Sequence, residues 1–195
     1  MKTDLILAGV GGQGILTIAA TLGMAALNND YYLKQSEVHG MSQRGGEVQA
    51  HLRISDKEIA SDLIADKTAD LIISVEPMEG LRYMNYLHDD GWLITNSRPY
   101  KNIPNYPDID ALLAEIEKVK NHIVLDADAM AKEMKASRSS NIIMLGAASP
   151  FINMDYKLIE EGIRTIFSRK GEDVVNINIK ALKVGREFTE AKLNS

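Results

Sequence analysis

The chain has 195 residues, 45% of them hydrophobic and 25% charged, which is typical of a globular protein with a sizeable core. Its formal net charge of −5, with Lys and Arg scattered along the chain, argues against a nucleic-acid-binding protein. Cysteine is absent, which excludes disulfides, a thiolate nucleophile and a cysteine-ligated iron–sulfur cluster on this chain. No apolar run reaches the roughly 18 residues of a membrane span, so we expect a cytoplasmic protein without membrane contact and a single domain over residues 1–195.

Strands and helices are predicted to alternate along the chain. An apolar strand at residues 4–8 leads through a glycine turn into an uncharged helix at 15–27. Residues 47–54 alternate between polar and apolar types, as in a half-buried strand, whereas residues 69–75 form a continuous apolar run, as in a central parallel strand. The other predicted elements are strands at 31–35, 91–96 and 123–126 and helices at 77–88, 108–118, 127–134, 141–148, 154–167 and 176–193. This order predicts an α/β, Rossmann-like three-layer domain whose mostly parallel sheet has an antiparallel addition near residues 46–60.

The glycine turn has the spacing G-x-G-x-x-G. Its glycines are Gly9, Gly11 and Gly14, with Gly12 and Gln13 between them. Such a turn lets a ligand approach the backbone, and the free N–H groups at the start of the following helix attract anions. We therefore predict that these five residues contact a phosphate-bearing ligand, although glycines at this place also occur in sharp turns that bind nothing.

A second glycine-rich stretch, residues 36–46, shows neither a helical nor a strand period. It brings together Glu37, Gln43, Arg44 and Gly45, which can offer backbone N–H groups and one cation to an anionic or carbonyl ligand. The structural alternative is a wide turn in which the glycines adopt left-handed backbone angles.

Other polar residues are ambiguous. Glu76, directly after the apolar strand, is either a ligand contact at the sheet edge or a helix-start residue. His51 and His88 are predicted at the surface, His88 near a helix end. No histidine spacing is typical of a metal site, so none is assigned.

One interpretation is a free-standing NAD- or nucleotide-binding protein. It requires an acid about 20 residues beyond the glycines to hold the ribose, and Glu37 lies near that distance. The position of Glu37 inside the second glycine-rich stretch speaks against this role.

Three motifs together are more specific than any one of them. The glycine turn, the stretch SEVHGMSQRGG at residues 36–46 and the pattern E-P-x-E-x-x-R at 76–82 resemble the gamma-type subunit or domain of the 2-oxoacid:ferredoxin oxidoreductases, in particular those acting on indolepyruvate. The resemblance covers nearly the full chain.

The resemblance implies oxidative decarboxylation of a 2-oxoacid, with acyl-coenzyme A as product and ferredoxin as electron acceptor. It also implies a large partner subunit, because this chain has neither cysteines nor a thiamine-binding motif. Thiamine diphosphate and the iron–sulfur clusters are therefore expected on the partner, and coenzyme A is expected to be shared with it.

Overall fold

The computed structural model describes residues 1–39, 45–101 and 103–194, and of His39 only the backbone. Within these ranges it contains six strands and seven α-helices. The strands are β1 (Lys2–Val10), β2 (Tyr32–His39), β3 (Glu47–Ser55), β4 (Ala69–Ser74), β5 (Leu87–Asn96) and β6 (His122–Leu125). The helices are α1 (Ile15–Leu27), α2 (Pro77–Arg82), α3 (Ile109–Ile116), α4 (Ala127–Glu133), α5 (Ser140–Ala148), α6 (Tyr156–Phe167) and α7 (Glu172–Leu193).

The strands form one sheet in the order β2-β3-β1-β4-β5-β6. The pairs β1–β4, β4–β5 and β5–β6 are parallel, whereas β3 runs antiparallel to both of its neighbours. The predicted α/β class and the antiparallel addition are thus confirmed. The added strand does not lie at the edge, because β2 pairs along its outer side.

The two faces of the sheet bury separate cores, which makes three layers. Leu5 and Leu7 of β1 contribute to the larger core, which packs against α1 and α4–α7. Ile6 and Ala8 point to the opposite face and pack in a smaller core with residues of β4, α3 and the segment before β4. This alternation follows from the two-residue period of a strand.

Several predicted boundaries were wrong. Residues 36–39 belong to β2 and are not part of a loop, because they pair with residues 48–51 of β3. The helix predicted over 77–88 ends at Arg82 and is followed by a 3-10 turn and β5, so His88 lies in a strand.

His51, predicted at the surface, is buried, with 6% of its surface exposed. The connection between β3 and β4 covers its face of the sheet, and the Ile64 N–H donates to His51 Nδ1 at 3.0 Å.

Candidate functional site

The glycine turn connects β1 to α1 through backbone angles that favour glycine. Gly12 and Gly14 have φ angles of 102° and 83°, and a Cβ on Gly9 would lie 2.4 Å from Val75 Cγ2. Gly9 therefore serves the close packing of β1 against the end of β4. The side chain of Gln13 fixes the turn, since the Val10 N–H donates to Gln13 Oε1 at 2.8 Å and Gln13 Nε2 donates to the Val75 carbonyl at 3.3 Å.

Some backbone groups of the glycine turn form hydrogen bonds within the protein. The Gly11 N–H donates to the Gly46 carbonyl at 2.8 Å, and the Gly45 N–H donates to the Gly11 carbonyl at 3.4 Å. These bonds join the glycine turn to the segment that leads into β3. Among the described residues, the N–H groups of Gly12 and Gly14 have no acceptor.

The glycine turn opens into a cleft of about 820 Å³ at the carboxyl ends of β1, β4 and β5. Ligands bind at this edge of open α/β sheets, where the chain connections diverge to opposite sides. Gly12, Gln13 and Gly14 line it. The start of α1 faces the cleft with neither an acidic residue in its first turn nor a side-chain cap, so the positive end of the helix dipole is exposed to a ligand.

The opposite wall comes from distant parts of the chain. The connection between α4 and α5 supplies residues 135–140, and the segment after β5 supplies Arg98, Pro99 and Tyr100. Among the described residues, four cationic side chains line the cleft, Arg98, Lys135, Arg138 and Lys170, and Asp128 is the one carboxylate in this part of the lining. An apolar part of the lining consists of Met144, Phe167, Val174 and Ile177. The cleft thus combines cationic side chains with an apolar wall, so one ligand could place an anionic group and an apolar part in it.

The segment after β5 is anchored by Glu76, which is fully buried. Its Oε2 accepts the Glu79 N–H at 2.9 Å and so begins α2, while its Oε1 accepts the Tyr100 N–H at 3.2 Å and the Tyr106 hydroxyl. Of the two roles considered for Glu76, the contacts support the structural one. Burial, followed by the bond to Glu76, raises the pKa of Tyr106 above its ordinary value.

Glu79 and Arg82, the remaining charges of the E-P-x-E-x-x-R pattern, connect α2 to β3. Arg82 Nε lies 2.9 Å from Glu79 Oε2 and 3.4 Å from Glu47 Oε2. Glu79 is 1% exposed, and burial raises the pKa of its carboxyl although Arg82 opposes the shift. All three motifs therefore meet near the point where β3 begins.

The nine predicted site residues differ in where they lie relative to the cleft. Three of them, Gly12, Gln13 and Gly14, line the cleft. Gly9 packs closely against Val75, and Gly11 and Gly45 share a backbone hydrogen bond. Glu37 lies on β2 opposite Ala50. Gln43 and Arg44 lie outside the described residues. The sequence interpretation missed the cations between α4 and α5, whose one local signal is the run KASRSS at 135–140.

Comparison with known proteins defines the class. Residues 4–188 match the family model described as pyruvate ferredoxin/flavodoxin oxidoreductase, and the chain belongs to this family of oxidoreductases. It is 35% identical to indolepyruvate oxidoreductase subunit IorB of Pyrococcus horikoshii over 98% of both chains.

Two solved structures share the fold. The gamma subunit of a keto/oxoacid ferredoxin oxidoreductase from Geobacter sulfurreducens matches with a TM-score of 0.73 and 21% identity, over 97% of this chain and 99% of that one. The 2-oxoglutarate:ferredoxin oxidoreductase of Magnetococcus marinus, described with 2-oxoglutarate, coenzyme A and succinyl-CoA bound, matches with a TM-score of 0.75 and 20% identity. In that case 97% of this chain corresponds to 31% of the other. The resemblance found in the sequence is confirmed.

Proposed function

We propose that the chain is the small subunit of a 2-oxoacid:ferredoxin oxidoreductase, with indolepyruvate as the 2-oxoacid. The observation that carries this proposal is the 35% identity to an indolepyruvate oxidoreductase subunit over nearly the whole of both chains. The NAD-binding alternative has less support, because Glu37 lies on β2 and is not part of the cleft lining.

The redox chemistry is assigned to a larger partner subunit. This chain has no cysteine to ligate a cluster, and no group of three His, Cys, Asp or Glu side chains in its described part could hold a metal ion. We propose that thiamine diphosphate and the iron–sulfur clusters lie on the partner, which passes electrons to ferredoxin.

The cleft fits the phosphates of coenzyme A. Two backbone N–H groups of the glycine turn lack an acceptor among the described residues, the start of α1 is uncapped, and cationic side chains line the same cleft. When bound, coenzyme A supplies the thiol that accepts the acyl group. The part of this chain is to hold the nucleotide end: Gly12 and Gly14 donate to phosphate oxygens, and Gln13 keeps the turn in shape.

The second glycine-rich stretch is proposed to face the partner or the ligand, with Glu37, Gln43, Arg44 and Gly45 as its contacts. The stretch begins in β2 and leads into β3 beside the carboxyl end of β1, and chain connections at this edge of an α/β sheet commonly carry function. Substitution of Arg44 by Ala is therefore expected to lower the activity of the complex with little change in melting temperature, and a large fall in melting temperature would instead support a structural role.

We further propose that residues 1–195 act as one domain in the cytoplasm. The single sheet supports the first point, because its strands extend from residue 2 to residue 125 and the closing helices pack on the same core. In its described part, the structure contains no helix that could span a membrane.

The proposed function is tested by reconstitution. The chain is co-expressed with the large thiamine-binding subunit, and reduction of ferredoxin is measured with indolepyruvate and coenzyme A. We expect turnover from the complex and none from either subunit alone. Turnover by the small chain alone, or no gain when it is added to the large subunit, would contradict the proposal. Thermal stabilisation by NADH but not by coenzyme A would favour the alternative.

A further inference from the structure

The start of α5 lies directly against the start of α1. Asn141 Nδ2 donates to the Gly14 carbonyl at 3.0 Å, and a Cβ on Gly14 would lie 2.5 Å from the same nitrogen. Both helix starts line the cleft, and neither has an acidic residue in its first turn or a side-chain cap. Because the positive ends of two helix dipoles repel each other, their approach is favourable when an anion lies between them.

Ser139 provides independent evidence for a ligand at α5. It precedes the helix and lines the cleft, with 4% of its surface exposed. A serine at this position usually caps the helix with its hydroxyl, yet this hydroxyl makes no cap bond. It makes no hydrogen bond to any described residue. Because Ser139 lines the cleft, its hydroxyl is available there as a hydrogen-bond donor to a ligand.

The charges beside Ser139 are of one sign. Lys135 and Arg138 line the same wall, and the described part of the chain contains no carboxylate paired with either. Lys135 also has a φ of 55° at the end of α4, where glycine is usual.

We propose that Ser139, Lys135, Arg138 and the first N–H groups of α5 form a second phosphoryl-binding subsite, separate from the glycine turn. The proposal rests on the proposed function in taking coenzyme A as the ligand. The backbone N–H groups of the glycine turn receive the diphosphate, which carries one charge per phosphorus. The two cations and the hydroxyl at α5 receive the 3′-phosphomonoester, which carries nearly two charges on one phosphorus.

The test compares coenzyme A with dephospho-coenzyme A, which lacks the 3′-phosphate, by calorimetric titration of the full chain. We expect coenzyme A to bind on the order of tenfold more tightly, as expected when charge-assisted hydrogen bonds are lost. Substitution of Ser139 by Ala or of Lys135 by Gly should remove most of this difference by weakening coenzyme A alone. Glycine suits the positive φ of residue 135, so we expect Lys135→Gly to retain the fold, which its melting temperature checks.

The matched control is Lys157→Ala, which removes an exposed lysine of α6 that does not line the cleft. It should leave the affinity ratio unchanged. Equal affinities of the two ligands for the unaltered chain, binding of neither ligand, or an equal effect of Ser139→Ala on both would overturn the second subsite.

The reconstituted complex separates this proposal from the proposed function. Coenzyme A-dependent oxidation of the 2-oxoacid without discrimination against the dephospho form contradicts the subsite alone. Discrimination by the small chain without oxidation by the complex contradicts the proposed function alone.

Discussion

The hydroxyl of Tyr106 donates to the carboxylate of Glu76, a side chain with no exposed surface. Through this bond and the one from the Tyr100 N–H, the end of β4 holds the segment that carries Arg98 to the cleft. One buried carboxylate thus begins α2 and positions a wall of the candidate site.

Removal of the Tyr106 hydroxyl should affect both stability and binding. Tyr106→Phe leaves a buried carboxylate oxygen with one donor fewer, which costs about 1–3 kcal/mol of the free energy of unfolding. The segment with Arg98 and Tyr100 loses part of its anchor, so coenzyme A should bind more weakly. Chemical denaturation and calorimetry measure the two effects. Tyr32→Phe, at a half-exposed position of β2, is the control, and equal effects of the two substitutions would contradict the anchoring role of Glu76.

A negative charge in the glycine turn should weaken phosphate binding. Gln13→Glu retains the oxygen that accepts the Val10 N–H, loses the donor to the Val75 carbonyl and places a carboxylate beside the proposed diphosphate, so its melting temperature is measured alongside binding. We expect the dissociation constants of coenzyme A and dephospho-coenzyme A to rise by similar factors, on the order of tenfold, as for like charges brought together. Asn176→Asp makes the same change of charge at an exposed site outside the cleft lining. If both variants weaken binding equally, the effect is one of net charge and not of the turn.

Acid should destabilise the chain through His51. Burial lowers the pKa of His51 below 6.5, and Arg53 acts in the same direction while Asp62 opposes it. The unfolded chain therefore binds a proton near pH 6.5 that the folded chain takes up only at lower pH, so the free energy of unfolding decreases as the pH falls below about 6.5. Protonation also competes with the bond from the Ile64 N–H to Nδ1.

His51→Asn provides an amide oxygen near the position of Nδ1 and no titrating group. We expect a smaller loss of stability for this variant than for the unaltered chain between pH 7.5 and 5.5, measured by chemical denaturation. His88→Asn is the control, because exposed His88 accepts the Asp90 N–H through the same ring nitrogen. Equal pH dependence in the unaltered chain and His51→Asn would refute the assignment.

The crossing of α5 and α7 should not tolerate a methyl group. A Cβ on Gly146 would lie 2.0 Å from the Leu182 carbonyl oxygen, and one on Gly185 would lie 2.0 Å from that of Ile143. Gly146→Ala is therefore expected to lower the free energy of unfolding by about 1–3 kcal/mol, as overpacking does. The control Asn176→Ala introduces alanine on an exposed side of α7, and a melting temperature for Gly146→Ala at or above that of the control would show that the helices can separate without cost.

The sequence predicted those features that depend on neighbouring residues. Residues 4–27 contain a strand, a turn and a helix in direct succession, and the alternation in residues 47–54 follows from one covered face of the sheet. The end of β2 was missed because an edge strand is covered weakly: Val38 is 60% exposed, so residues 36–39 show little apolar periodicity. His51 was placed at the surface because its cover comes from a connecting segment without regular structure.

The candidate site could be predicted only in part, because its two walls are far apart in the sequence. The hydrogen bond from Asn141 to Gly14 joins residues that are 127 positions apart in the sequence, and no local sequence pattern predicts it. The sequence also does not indicate that the Ser139 side chain leaves α5 uncapped, since Ser before a helix ordinarily caps it.

The bonds between Gly11 and residues 45–46 also bear on the order of folding. The turn after β1 is completed by backbone that arrives with β3, whereas β2 and β3 are consecutive strands that can pair as a local hairpin. Pairing β1 with β3 closes a longer loop than pairing β2 with β3. It therefore costs more chain entropy, and we expect it to form later during folding. The edge of the sheet that carries the glycine turn should therefore be among the last parts to acquire native structure, and substitutions at Gly11 should accelerate unfolding more than they slow folding.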